Sequence, residues 1–379
     1  MDTTNEERWS DSFLDPWREQ GDPLADRLMQ DLFARGDVAR LDALMRQLVQ
    51  NDDFPGGEVI PGLADYLEAS AWLPKWADPE ILEQAARFFT FRGKYVLIML
   101  GLYALPMSYC ADKGIKILFV GSQLHSDVKR RIMESLQMVV DVAAPGGLSR
   151  NGRGIRSIQK VRLMHAAHRV LIPRSPLYDP AWGLPVNQED MAGTALAFGL
   201  SPSEGMPKIG IEVDPDDAEA YLHLWLVVAS MLGLAPDVTP RDCADGRALW
   251  AAEERRHFRR CDEGVLMAQA LLSDAYGGAL PGMEHIIAPL IREFMGDKDA
   301  DILDIPRHHV GRWLRELHEL HIDAARVVSR RENASPTARA ILSRAGDVLL
   351  DGMLKLPRRG NRPPFVISDE LTQPWREAQ

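Results

Sequence analysis

The segment Gln159–Arg169, QKVRLMHAAHR, restricts the fold more than any other stretch of this chain. On an α-helix each residue advances by ~100°, so Arg162, His165 and Arg169 fall inside one narrow stripe. Around them the helix is apolar, with Val161, Leu163, Met164, Ala166, Ala167, Val170 and Leu171. A lone histidine in such a helix is ordinarily a core residue with its hydrogen bonds satisfied. Two guanidiniums beside it are harder to place, because a buried arginine needs a compensating anion. The stripe therefore faces either carboxylates or a bound anionic group, with an imidazole between.

The rest of the chain is patterned for helices. Asp22 to Gln50 reads as two amphipathic helices split near Gly36-Asp37. Asp78 and Pro79 mark a helix start, with the helix running to about Arg92. A long helix begins near Ser126 or Asp127 and runs to Asp141; the turn-like stretch 144–154 separates it from the stripe-bearing helix, Ile155 to about Leu171. Asn187 opens a further helix closed by Gly199, read as a C-cap. Asp216 to Leu232 follows, stopped by Gly233. Further helical patterns cover 244–273, 283–295, 307–330 and 335–356, and the tail from Pro357 is rich in proline and arginine. Ile209–Val213 is the one short strand candidate. The expected fold is all-α, a single large helical domain over residues 76–356, with an N-terminal helical extension (1–75) and an irregular tail (357–379).

The 379 residues are 46% hydrophobic and 26% charged, with a net charge of -11, which argues against general nucleic-acid binding or adhesion to anionic membranes. Three cysteines (Cys110, Cys243, Cys261) lie far apart without zinc-type spacing, so neither a disulfide scaffold nor structural zinc is expected. The start, MDTTNEERWSDSF, shows no secretory pattern, so a cytoplasmic location is the expectation. The most apolar run, Tyr95–Met107, is too short to span a bilayer; it reads as a buried core helix, with membrane contact as the alternative.

Several chemistries lack their signatures. Gly152-Arg153-Gly154 follows no strand and reads as a turn. No GxSxG elbow is present. Glu254-Arg255-Arg256-His257 is the only ExxH, so a di-iron bundle is unsupported and the segment reads as a solvated charged helix. His308-His309 and the pair His318 and His321 fit a polar surface better than a metal site. Haem is different. Helical haem proteins supply a neutral imidazole as an axial ligand, and arginines suit haem propionates. On spacing alone, an axial ligand and a satisfied core histidine both stay open for His165.

The segment KVRLMHAAHR resembles the signature of the latex clearing protein family, the rubber-oxygenase-like or DUF2236 family, which includes MpaB-type oxygenases. Gly183–Gly199, GLPVNQEDMAGTALAFG, carries the family's P-x-N-Q-E-D … T … F character, and LPMSYCADKG (105–114) and WLVVASMLGL (225–234) add weaker matches. The resemblance implies an all-α fold with a globin-like core and one haem b, with His165 as the proximal iron ligand. Arg162 and Arg169 correspond to the arginines flanking that ligand, and Thr194 to a pocket or back-bonded position. The helix with Arg130, Arg131, Glu134 and Ser135 looks like the distal wall. Arg131 matches the family's arginine and Ser135 its threonine, whereas Glu134 stands where rubber oxygenases carry lysine. A carboxylate there accepts protons and suits a base or a water-organising group. Arg131, Glu134 and Ser135 are thus the catalytic candidates, and His165, Arg162, Arg169 and Thr194 the cofactor-binding ones. Gln188-Glu189-Asp190 supplies candidate acidic partners for the arginines, or else an N-terminal cluster favoured by the helix dipole. The implied function is haem-dependent oxidative cleavage of an alkene or isoprenoid-like apolar substrate by dioxygen. A small intracellular lipid or terpenoid is a better substrate than extracellular rubber under the cytoplasmic expectation. Two alternatives stand beside it: a haem peroxidase or hydroperoxide-processing enzyme, and a haem-binding or haem-sensing protein without turnover.

Overall fold

The computed structural model describes residues 5–53, 60–121, 128–273 and 284–307. Among these the chain is helical, with no strand and one isolated antiparallel bridge between Ala111 and Phe258. The readings at 307–330 and 335–356, the His308-His309 and His318/His321 pairs and the tail lie outside the described residues, Arg307 excepted.

Short helical turns at Asn5–Arg8, Asp11–Leu14 and Asp15–Glu19 precede α1 (Pro23–Arg35), α2 (Val38–Gln47) and α3 (Leu63–Ala69). Gly36 ends α1 in the left-handed region, φ 75°, as the Gly36-Asp37 split requires. Next come α4 (Pro79–Met99), α5 (Asp112–Gly121), α6 (Val128–Ala143) and α7 (Gly154–Leu171). Then α8 (Gln188–Gly199), α9 (Pro215–Met231), α10 (Cys243–His257), α11 (Asp262–Ala270) and α12 (Glu284–Met295) complete the described helices of main interest.

Asp78 caps α4 as expected, its side chain accepting from the Glu80 and Ile81 amides. The helix does not end near Arg92. It continues through a π turn, Leu100–Ala104, into Leu105–Ser108. The reason is Pro106, whose ring would clash with the carbonyl four residues back in a regular ladder; a π turn opens the ladder there. Pro79–Ser108 is the one helix among the described residues long and apolar enough to cross a membrane. Its Phe88, Phe89, Val96 and Leu97 instead bury against Tyr221, Leu224, Trp225 and Val228 of α9 in the largest core cluster.

Three further expectations change. Gly199 is not a left-handed cap: it is the last residue of α8, and the chain runs on into Ser201–Gly205. Its role is close approach, since a Cβ there would sit 2.8 Å from Leu222 Cδ1 and 3.3 Å from Trp225 Cβ of α9. Ile209–Val213 forms no strand; a 3-10 turn, Met206–Ile209, leads into extended chain beside α9. The 244–273 pattern is two helices, because Phe258–Cys261 leaves the helix to bridge Ala111 and to place the Arg259 amide on the Cys110 carbonyl.

The turn between α6 and α7 is built on glycines. A Cβ on Gly147 would lie 2.3 Å from the Asp141 carbonyl, and one on Gly152 2.2 Å from the Gly147 carbonyl. Asn51 plugs this turn, donating to the Gly147 and Ser149 carbonyls at 3.0 and 2.6 Å. So Gly152-Arg153-Gly154 is a turn and not a nucleotide loop. It brings α6 back against α7, while α1 covers the other side of α7.

Candidate functional site: one face of the histidine helix

α7 is buried on nearly every side, and its polar residues are the reason it needs so many partners. Every residue from Gly154 to Leu163 is buried. Lys160 donates to the Leu48 carbonyl at 2.8 Å. Gln159 donates to the Leu67 carbonyl and the Ser70 hydroxyl at 2.8 and 2.9 Å, and accepts from Arg156. Tyr66 donates to the Gln159 carbonyl at 2.9 Å.

The two arginines of the stripe find carboxylates, from a place the sequence did not indicate. Arg162 forks onto Asp22 at 2.5 and 2.8 Å and donates to the Met231 carbonyl at 3.0 Å. Arg169 holds Asp26 at 2.6 Å and the Val186 carbonyl at 2.9 Å. The expected partners, Glu189 and Asp190, are engaged elsewhere. Asp22 precedes Pro23 and reads locally as a helix cap, which hides its long-range role.

On the C-terminal half of α7, Met164, His165, His168, Val170 and Leu171 are half-buried. With His165 as origin and ~100° per residue, Arg162 and Arg169 lie at roughly +60° and +40°. On the other side, His168, Met164 and Leu171 lie at roughly -60°, -100° and -120°, and all three are half-buried, as is His165 itself. His165 therefore stands between the anchored stripe on one side and Met164 and His168 on the other; Val170 and Leu171 pack against the α1–α3 cluster. The His168 side meets the end of α5, where a Cβ on Gly121 would lie 3.9 Å from His168 Cδ2, and α6 packs on the same helix. Half-buried Leu102, from the chain after α4, and Leu136, from α6, join Met164 in the same apolar cluster.

The imidazole makes no hydrogen bond at Nδ1, which is fully buried. Burial pushes its pKa down to about 3, with help from the Arg169 guanidinium and then His168. The ring is thus held within the protein with one nitrogen left over. The imidazole is neutral there at physiological pH, as a metal ligand must be. Its depressed pKa stabilises the fold above the unfolded value of 6.5, and that contribution drains as pH falls toward about 3. In the metal-free protein, His165→Gln is expected to flatten the acid limb of a pH titration followed by circular dichroism; an unchanged limb would show that the ring is already hydrated.

Of the remaining candidates, Glu134 is half-buried and Ser135 exposed on α6, while the side chain of Arg131 lies outside the described residues. Thr194 is exposed and donates to the Asp190 carbonyl at 2.7 Å, the back-bonded of its two expected states.

Glu254–His257 is not a solvated helix. Arg256 is half-buried and His257 is buried, and with Glu253 they form a charged knot with α8 and the N-terminal segment. Glu189 receives Arg256 Nε at 2.6 Å, His257 Nε2 lies 3.0 Å away, and Arg18 reaches it at 3.2 Å and Asp190 at 3.0 Å. Leu249, Ala252, Glu253 and His257 share one helical face, a signal that pointed inward. Glu189, Glu253 and His257 place ligand atoms within 4.8 Å of one another. Two guanidiniums already on Glu189 put positive charge where a divalent cation would sit, so the knot is an ion-pair network.

With this geometry in place, the family is clear. The catalytic-domain family described as "ER-bound oxygenase mpaB/B'/Rubber oxygenase, catalytic domain" matches residues 91–333. The chain belongs to this family and is an oxidoreductase of the oxygenase class. It is 32% identical over 306 residues to the rubber oxygenase of Streptomyces sp. (strain K30), covering 78% of this chain and 72% of that protein. A solved structure of latex clearing protein in the closed state superposes with a TM-score of 0.74 at 25% identity, over 88% of this chain and 90% of that one.

Proposed function

We propose that this oxygenase carries haem b on His165 and uses dioxygen to cleave a carbon–carbon double bond of an isoprenoid-like apolar substrate. The observation that carries the reading is the His165 ring: buried at Nδ1 without a partner there, held neutral by burial, and carried on a helix whose arginines flanking it are anchored to carboxylates. A satisfied core histidine would have its nitrogens paired. The likeness to rubber oxygenase supports a polyisoprene-like substrate.

When bound, haem supplies the iron that activates dioxygen. The chain's own residues do the rest. His165 offers its imidazole as ligand. Met164, Leu102 and Leu136 furnish apolar surface that excludes water and accepts an alkene. Glu134, half-buried on α6, is the group that takes up or returns a proton at its carboxylate. Overall one oxygen atom passes to each carbon of the double bond, giving two carbonyl ends with no further reductant. Arg162 and Arg169 hold Asp22 and Asp26, so their part is to fix the helix.

The test begins with the absorption spectrum of the purified or haem-reconstituted full chain. A Soret band lost in His165→Ala, together with dioxygen uptake and carbonyl products from a short oligoisoprene, is the expected result. A wild type that shows no Soret band after reconstitution would sink the reading. Turnover with hydrogen peroxide in the absence of dioxygen would convert it to the peroxidase reading.

A further inference from the structure

We propose that Asp22 and Asp26, on an N-terminal segment that precedes the matched catalytic domain, are positioning residues for His165. The proposal rests on His165 being the haem ligand.

The geometry is a two-point clamp. Arg162 lies one turn before His165 and Arg169 one turn after, both on the same side of it. Each is held by one carboxylate of α1 or its cap position. Asp22 is 2% exposed and engages Arg162 through both oxygens. It sits at the N-cap of α1 yet makes no side-chain cap bond, because its carboxylate is turned to the arginine. Asp26 takes over the capping, accepting from the Asp22 amide at 2.9 Å through Oδ2 while Oδ1 holds Arg169. The two pairs are thus linked to each other as well as to α7.

Close backbone approach walls the clamp on both sides. A Cβ on Gly21 would lie 2.6 Å from Asp26 Oδ2 and 2.8 Å from Arg169 Cδ, and one on Gly233, at φ +100°, 2.6 Å from Asp22 Oδ2. Gln188 ties those two glycines together, donating to both carbonyls at 2.7 and 3.0 Å. Two fixed points flanking a residue on one helix set both its rotation and its height along the axis. A ligand on that turn is then presented at one angle, as outer-sphere partners generally do for metal-bound histidines.

The test compares Asp22→Asn and Asp26→Asn with Asp245→Asn in the haem-loaded full chain. Asp245 is as buried as Asp22 and also fastens the N-terminal segment, through Trp9 Nε1 at 2.8 Å and Arg8, but has no link to α7. The readouts are the electron paramagnetic resonance and Soret spectra, and the rate of haem loss to an apoprotein acceptor. Both clamp variants are expected to shift the spin-state signature and lose haem ~10-fold faster or more, with Asp245→Asn keeping the wild-type spectrum at a similarly lowered melting temperature. Asp22→Glu and Asp26→Glu keep the charge for the case in which an asparagine variant does not fold, and are expected to restore the signature in part. Wild-type spectra and loss rates in the clamp variants overturn the proposal, as does an equal shift in Asp245→Asn. A His165→Ala variant indistinguishable from wild type instead overturns the ligand assignment beneath it.

Discussion

Replacing Arg162 by alanine is expected to lower stability by roughly 3–5 kcal/mol, because it leaves the Asp22 carboxylate buried without its cation. Asp22 is enclosed by Gly233, the start of α1 and α7, so water has little room to replace the lost guanidinium. The midpoint of denaturant unfolding reads the loss. Combining Asp22→Leu with Arg162→Met should recover most of it, since exchanging a whole buried ion pair for apolar groups is commonly neutral or better. A double variant as unstable as the single one would show that the pair adds net stability and not only mutual compensation. Either way, recovered stability need not restore the presentation of His165, which separates the structural part of the pair from its positioning part.

Opposite signs are expected for two neighbouring glutamates in the α8–α10 knot. Burial raises the Glu189 pKa, but the hydrogen bonds from His257 and Arg256 outweigh it and hold the carboxyl down at about 2. Its stabilising contribution is present above the unfolded value of 4.5 and is lost as pH falls toward about 2. Glu189→Gln strips Arg18 and Arg256 of their shared anion and is expected to destabilise at pH 7 by several kcal/mol, on the scale of a broken buried ion pair. Glu253 lies in the same knot with its pKa pushed well up, first by burial and then by Glu189 and Asp190. Folding favours its protonated form, so its contribution is full below 4.5 and drains as pH rises. Glu253→Gln mimics that neutral form and should raise the melting temperature at neutral pH, with the gain vanishing toward pH 4.5. Thermal melts across pH check both signs, and destabilisation by both variants at pH 7 would refute the assignment of the proton to Glu253.

Local chemistry made most helices legible. Asp78 with Pro79, Gly36, Asn187 and Gly233 each marked a boundary through a cap or turn whose cause lies within four residues. Where two causes competed, the reading failed: Gly199 looked like a cap but serves close packing, and the helix expected to end near Arg92 runs on through a π turn that absorbs Pro106. The candidate site was legible on one side only. The Arg162, His165, Arg169 stripe demands an anion and says so in its own spacing. Which anion answers depends on chain far away, and Asp22 beside Pro23 reads as an ordinary cap. His257 was missed for the opposite reason: its charged neighbours Arg255 and Arg256 suggested a wet surface, although Leu249, Ala252 and Glu253 share its face.

The clamp also orders events in time. Asp22 and Asp26 are bound 140 and 143 residues downstream, Arg18 meets Glu189 171 residues on, and Arg8 meets Asp245 at 237. A chain emerging from a ribosome at ~5–20 residues per second keeps its first helices without their final partners for roughly ten seconds or more. The partners of α1, on the histidine helix, are made first, and Asp245 on α10, the partner of Arg8, is made last. Loops of this span form slowly. The carboxylates that anchor the histidine helix therefore have their partners synthesised before Arg8 has Asp245, so the Arg8 contact is the later of the two to become available.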